Sequence, residues 1–82
     1  MTNQSGIRAV VRDRLRARTE HRGLSGAELG RRVGASQPVV SRWLSGSRLP
    51  ELAALVSLSD ELGVSLDWIC GRSEDAARQS KD

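Results

Sequence analysis

Five glycines, at positions 23, 34, 46, 63 and 71, cut this chain into short pieces otherwise rich in helix formers. Each stands where a helical pattern runs out, and a residue free to take positive φ is the usual way to end a helix there. No piece alternates apolar and polar residues in a β-branched run, so the chain reads as all-α. Its 82 residues suffice for one domain with a modest core. Only Trp43 and Trp68 are aromatic, which leaves leucine, valine and alanine to fill that core.

Residues 1–6 are polar and are expected to be flexible. A first helix is predicted over 7–22, with Ile7, Val11 and Leu15 on one stripe and the stems of Arg14 and Arg18 along its edge. Ser25 and Glu28 have the spacing of a capping box. The second helix then runs to about residue 33 with Leu29 and Val33 inward, and Gly30 leaves room for another helix to approach. Gly34 and Ala35 form a turn. After a third helix and the loop 47–50, a fourth helix over 51–62 is expected to bury Leu52, Leu55, Leu58 and Leu62. Ser65 caps a last short helix, 66–70, anchored by Trp68 and Ile69. Residues 72–82 lack an apolar face and are expected to form a flexible polar tail, so the folded domain is placed at 7–71.

The third helix, 36–44, has two opposite faces. At about 100° per residue, Val39, Val40, Trp43 and Leu44 fall in one arc, and Gln37, Pro38, Ser41 and Arg42 fill the other. Ser36 is a good N-cap, and Pro38 sits in the first turn, where its missing N–H breaks no helical bond. Such a helix is held to a core along one side and offers an amide, a hydroxyl and a guanidinium on the other. Those groups suit the base edges of a DNA major groove.

Charge supports a polyanion-facing half. Residues 1–48 hold ten arginines against Asp13, Glu20 and Glu28, a net of +7, whereas residues 49–82 carry −4. Arginine outnumbers lysine twelve to one, which fits bidentate phosphate and guanine contacts and equally fits a GC-rich coding bias. The single Cys70 excludes an intramolecular disulfide and points to a reducing cytoplasm. No apolar run can span a membrane, and no secretory leader is visible. His21, the only histidine, has no second ligand set beside Cys70, so no metal is expected. Any Ser-His-acid triad would have to use that surface histidine, which argues against an enzyme. No cofactor or small-molecule ligand is implied.

Helix, short glycine turn, helix is the helix-turn-helix plan. Gly23-Leu24-Ser25, Glu28-Leu29, Gly34-Ala35-Ser36-Gln37, Val40-Ser41-Arg42-Trp43, Gly46, Pro50 and Leu62-Gly63-Val64-Ser65-Leu66-Asp67-Trp68 occur in one order at close spacing. This set, covering about residues 11–71, resembles the Cro and phage-repressor family of helix-turn-helix proteins, also called the xenobiotic-response-element family. The resemblance implies a compact bundle of five helices whose third helix enters the major groove of double-stranded DNA. It puts base-reading roles on Ser36, Gln37, Pro38, Ser41 and Arg42, with core roles on Val40 and Trp43. Gln37 suits adenine, Arg42 guanine, and Pro38 only a thymine methyl. It puts phosphate contacts on Ser25, Gly26 and Arg48. Arg32 suits either a phosphate or the negative end of its own helix.

The chain departs from the family pattern in three respects. Gly26 stands where a glutamine is common, though its backbone N–H can still approach a phosphate. Gly30 replaces a usual alanine. Thr19 and Leu44 replace an arginine–glutamate pair, which leaves no stranded charge and implies an apolar seam.

The resemblance further implies a repressor of phage or bacterial origin acting in the cytoplasm of a bacterium or an infected host. With no room for a sensor domain after Gly71, a stand-alone Cro-type protein is expected. Members read palindromes as dimers, so a homodimer is expected at least on DNA. Val64, Leu66, Ile69 and Cys70 are the candidate face, unless the monomer itself buries them. Two other readings stand beside this one. One is an antitoxin or anti-repressor module whose tail wraps a partner protein, and the other is a non-specific nucleic-acid binder.

Overall fold

A computed structural model of the chain describes residues 4–77. Among them are five helices and no strand: α1 Gln4–His21, α2 Gly26–Val33, α3 Gln37–Ser45, α4 Leu52–Leu62 and α5 Leu66–Ile69. The five glycine stops hold without exception, each with φ between 68° and 83°. Helix α1 starts at Gln4, three residues before the predicted start.

α1 packs on α3 and α5, α2 lies between α3 and α4, and α4 closes on α5. Every helix contributes to one core of Val11, Leu15, Leu29, Val40, Trp43, Leu58, Leu62, Val64 and Ile69. Leu52 is a correction: it is 72% exposed, because the first residue of α4 projects past the end of that core. At the positions of the missing charge pair, Thr19 is buried. Its buried hydroxyl donates to the Leu15 carbonyl, and Leu44 lies half-buried on α3 with no charge to strand.

Residues 72–77, of the expected tail, run as a strap across α5 and back to α1. The Arg14 guanidinium sits 4.8 Å from the centre of the Trp68 ring and donates to the carbonyls of Trp68 and Ser73, both at 3.2 Å. It also reaches the exposed carboxylate of Glu74 at 3.4 Å. The Ser65 amide donates to the Ala76 carbonyl at 3.0 Å, and the Ala76 side chain rests against the core. Residues 78–82 of the expected tail, and 1–3 of the expected leader, lie outside the described residues.

Ending the chain after Gly71 removes the Ser73 and Ala76 acceptors. We expect that truncation to cost about 1 kcal/mol and to red-shift tryptophan fluorescence as Trp68 meets water. The Glu74 pair adds little, being exposed. An unchanged melting curve and emission maximum would show that the strap does not support the bundle.

Candidate nucleic-acid interface

The geometry of α3 follows from its sequence. Ser36 is extended (φ −71°, ψ 156°) and its hydroxyl accepts from the Val39 amide at 3.4 Å. Pro38 occupies the first turn, as its missing N–H allows. Val40 and Trp43 are buried, which pins the helix and fixes its rotation about its own axis. Ser36, Gln37, Pro38, Ser41 and Arg42 are all exposed on the other side. The Arg42 carbonyl closes the helix by accepting from the amides of Gly46, Ser47 and Arg48 at 3.1–3.3 Å and from the Ser45 hydroxyl at 3.1 Å. That knuckle sets the course of the loop carrying the exposed Arg48.

α2 meets α3 through the tight turn at Gly34 and Ala35. The Ala35 amide donates to the Gly30 carbonyl at 2.9 Å, bringing the Ala35 oxygen to within 2.6 Å of where a side chain on Gly30 would begin. At the other end of α2 both halves of the capping box are present. The Glu28 amide donates to the Ser25 hydroxyl at 3.0 Å, and the Ser25 amide donates to the Glu28 carboxylate at 2.9 Å. The Ser25 oxygen is therefore engaged within the capping box. The amides of Gly26 and Ala27 have no acceptor within the helix. Gly26 faces Leu44 and Val40 at ordinary van der Waals distance.

The Ser25 amide, with lesser help from its hydroxyl and from Arg31 and Arg32, holds the Glu28 carboxyl below its ordinary pKa. A lowered folded pKa means stability that is present above the unfolded value and lost as pH falls through the folded one. The melting-temperature advantage of the native chain over Glu28→Gln should therefore be full near neutral pH and shrink progressively as pH falls below the ordinary glutamate range of about 4. A gap that does not change with pH would show that the carboxylate charge plays no part in the cap.

Several residues sit where the sequence alone did not put them. Arg32, expected at a phosphate, pairs with Glu61 of α4 at 2.9 Å and thereby ties α2 to α4. Arg18 of α1 donates to the Leu62 carbonyl and Arg22, just past the end of α1, to the Glu61 carbonyl, so both arginines cap the last turn of α4. The i, i+4, i+8 spacing of 14, 18 and 22 is the signal that marks this face, and a charge count conceals it. Among the described residues, Arg8, Arg16, Arg31, Arg42 and Arg48 enter no ion pair within the chain.

Val64 and Ile69, named above for a dimer face, are fully buried within the monomer and cannot serve there. Leu66 stays exposed and Cys70 half-buried. Burial first, and then Asp67, keep the Cys70 thiol above its ordinary pKa and so protonated. An open cleft of about 400 Å³ runs between the α2–α3 turn and the start of α4, floored by Val33, Val39 and Trp43, with Arg48 and Glu51 among its lining. No cluster of three or more metal-ligating side chains occurs among the described residues, and no helix there is long and apolar enough to cross a membrane.

Fold and site together define a class, the DNA-binding transcriptional regulators built on a helix-turn-helix. A family model described as Helix-turn-helix matches residues 15–69. Among solved structures, the chain is similar to the P22 c2 repressor, whose crystal structure was determined in complex with a synthetic operator in the presence of Tl+. The TM-score is 0.73 and the identity 30%, over 77% of this chain and 96% of that one. A search of curated proteins gives no match. The chain belongs to the helix-turn-helix family of the Cro and phage-repressor type.

Proposed function

We propose that this protein is a sequence-specific repressor of the Cro type, laying α3 in the major groove of a palindromic operator and excluding polymerase from it. The observation that carries this reading is the pose of α3. Gln37, Pro38, Ser41 and Arg42 are all exposed opposite the buried Val40 and Trp43, so the outward arc is rigid and uncovered. That a similar protein was solved on operator DNA supports the same use of the surface. In this reading Gln37 pairs with adenine, Arg42 pairs with guanine, and Pro38 meets a thymine methyl, while Ser36 and Ser41 give shorter hydrogen bonds. The Ser25 hydroxyl, the Gly26 amide and Arg48 hold phosphates on either side and set the register without reading sequence. The place of action is the cytoplasm of a bacterium or a phage-infected host.

The interaction-module reading needs a free tail, and six of those residues are spent on the chain's own strap. Selection of bound duplexes from a random pool tests the proposal. A two-fold motif with one guanine and one adenine position in each half is the expected result. Retention of all sequences alike, with affinity governed only by salt, would leave a non-specific binder in its place.

A further inference from the structure

The cleft of about 400 Å³ between the α2–α3 turn and the start of α4 falls at the small end of the volumes that hold ligands, roughly 300–1,000 Å³. Its floor is apolar, made by Val33, Val39, Trp43 and Ala54. Of its lining residues only Arg48 and Glu51 are charged, and both are exposed. Neither enters an ion pair among the described residues, with the other or with anything else. Both are carried on fixed backbone. The Arg48 amide donates to the Arg42 carbonyl at 3.3 Å, the Glu51 carbonyl accepts from the Leu55 amide at 2.9 Å, and the buried Pro50 lies between them. An apolar hollow thus offers a cation and an anion three residues apart, each open to a ligand. Ser36, at the DNA-facing start of α3, lines the same cleft.

We propose that this cleft binds a free α-amino acid with a large apolar side chain. The α-carboxylate pairs with Arg48, the α-ammonium pairs with Glu51, and the side chain lies over Val39 and Trp43. The two opposite charges select the ligand. A plain fatty or aromatic carboxylate would satisfy Arg48 but meet the Glu51 carboxylate as a like charge, and a plain amine would meet Arg48 in the same way. A zwitterion answers both and is preferred over either. Arg48 is also one of the groups proposed to hold phosphate, so the amino acid and the operator compete for it. The occupied cleft therefore loosens the protein from DNA, and by linkage DNA weakens the amino acid by the same factor. This consequence rests on the DNA-reading function proposed above; the binding of the amino acid does not.

The test titrates the full-length chain by calorimetry with L-phenylalanine and with two capped forms of it. N-acetyl-L-phenylalanine lacks the ammonium, and L-phenylalaninamide lacks the carboxylate. Phenylalanine should bind with a dissociation constant of about 1 mM, the strength expected of about a dozen heavy atoms at ordinary ligand efficiency. Each capped form should bind several-fold more weakly. Glu51→Gln should remove the preference for phenylalanine over its N-acetyl form. Ser57→Leu, which fills the cleft from α4, should bind no probe yet hold a selected duplex as the native chain does. At saturating phenylalanine the native chain should bind all duplexes more weakly and alike, with the slope of log affinity against log salt lowered by about one. Ser57→Leu should show neither change. No binding of phenylalanine, a capped form bound as tightly, a preference that survives Glu51→Gln, or duplex affinity that saturating phenylalanine leaves unmoved each overturns the proposal. A native chain that prefers no duplex in the absence of any probe overturns the DNA-reading function instead, and calorimetry without DNA still decides the cleft.

Discussion

Replacing Arg42 by alanine is expected to weaken binding to a selected operator about 5–150-fold per half-site, the loss of one bidentate guanine pair at roughly 1–3 kcal/mol. The same change should blur the selected motif at one position in each half. The fold should survive, since the Arg42 side chain is exposed and in no ion pair, and the carbonyl that closes α3 is untouched. Arg48→Ala is the informative contrast. A phosphate contact carries no sequence, so its loss should weaken all duplexes alike and lower the slope of log affinity against log salt by about one. Quantitative binding to matched and single-base-changed duplexes at two salt concentrations separates the two. Undiminished binding by the Arg42 variant would remove the central reading residue from the account.

The second large effect concerns stability. Gly30→Ala adds one methyl in the middle of a helix, where alanine is intrinsically favoured by up to about 1 kcal/mol. Here that methyl would begin 2.6 Å from the Ala35 carbonyl oxygen and 3.3 Å from a Val40 methyl. The oxygen belongs to backbone just past the hydrogen-bonded turn between α2 and α3, so it cannot swing aside as a flexible side chain can. Overpacking of this kind costs about 1–3 kcal/mol, which outweighs the propensity gain. With about 4–8 °C lost per kcal/mol in a domain this size, melting should fall measurably. Gly26→Ala supplies the control. Its methyl would meet Leu44 and Val40 at 3.8–3.9 Å, so the variant should be neutral or slightly stabilised. If Gly30→Ala melts as high as the native chain, the turn is more yielding than its geometry implies.

The two glycines show how much was legible beforehand and how much was not. That Gly30 sits at a close approach follows from its place beside Leu29 on the inner face of α2. That the neighbour is an immovable carbonyl, so that the family's usual alanine does not fit here, depends on the path of the turn. Leu66 and Val64 make a similar pair. Both are apolar residues near the start of α5, and the sequence pattern offers no way to tell which is buried and which is exposed.

By itself the sequence determined what is periodic or local. It placed the helix ends at the five glycines, the capping box of Ser25 and Glu28, and the division of α3 into a buried and an open arc, since each depends on residues within one or two turns. Only the tertiary structure decided which arginines the chain itself engages. Arg14, Arg18, Arg22 and Arg32 found carbonyls or carboxylates 29–60 residues away. A guanidinium on an amphipathic edge looks the same in sequence whether it will meet a phosphate or a helix end. Its partner is set by where α4 and the strap come to rest, and that follows from packing the whole core.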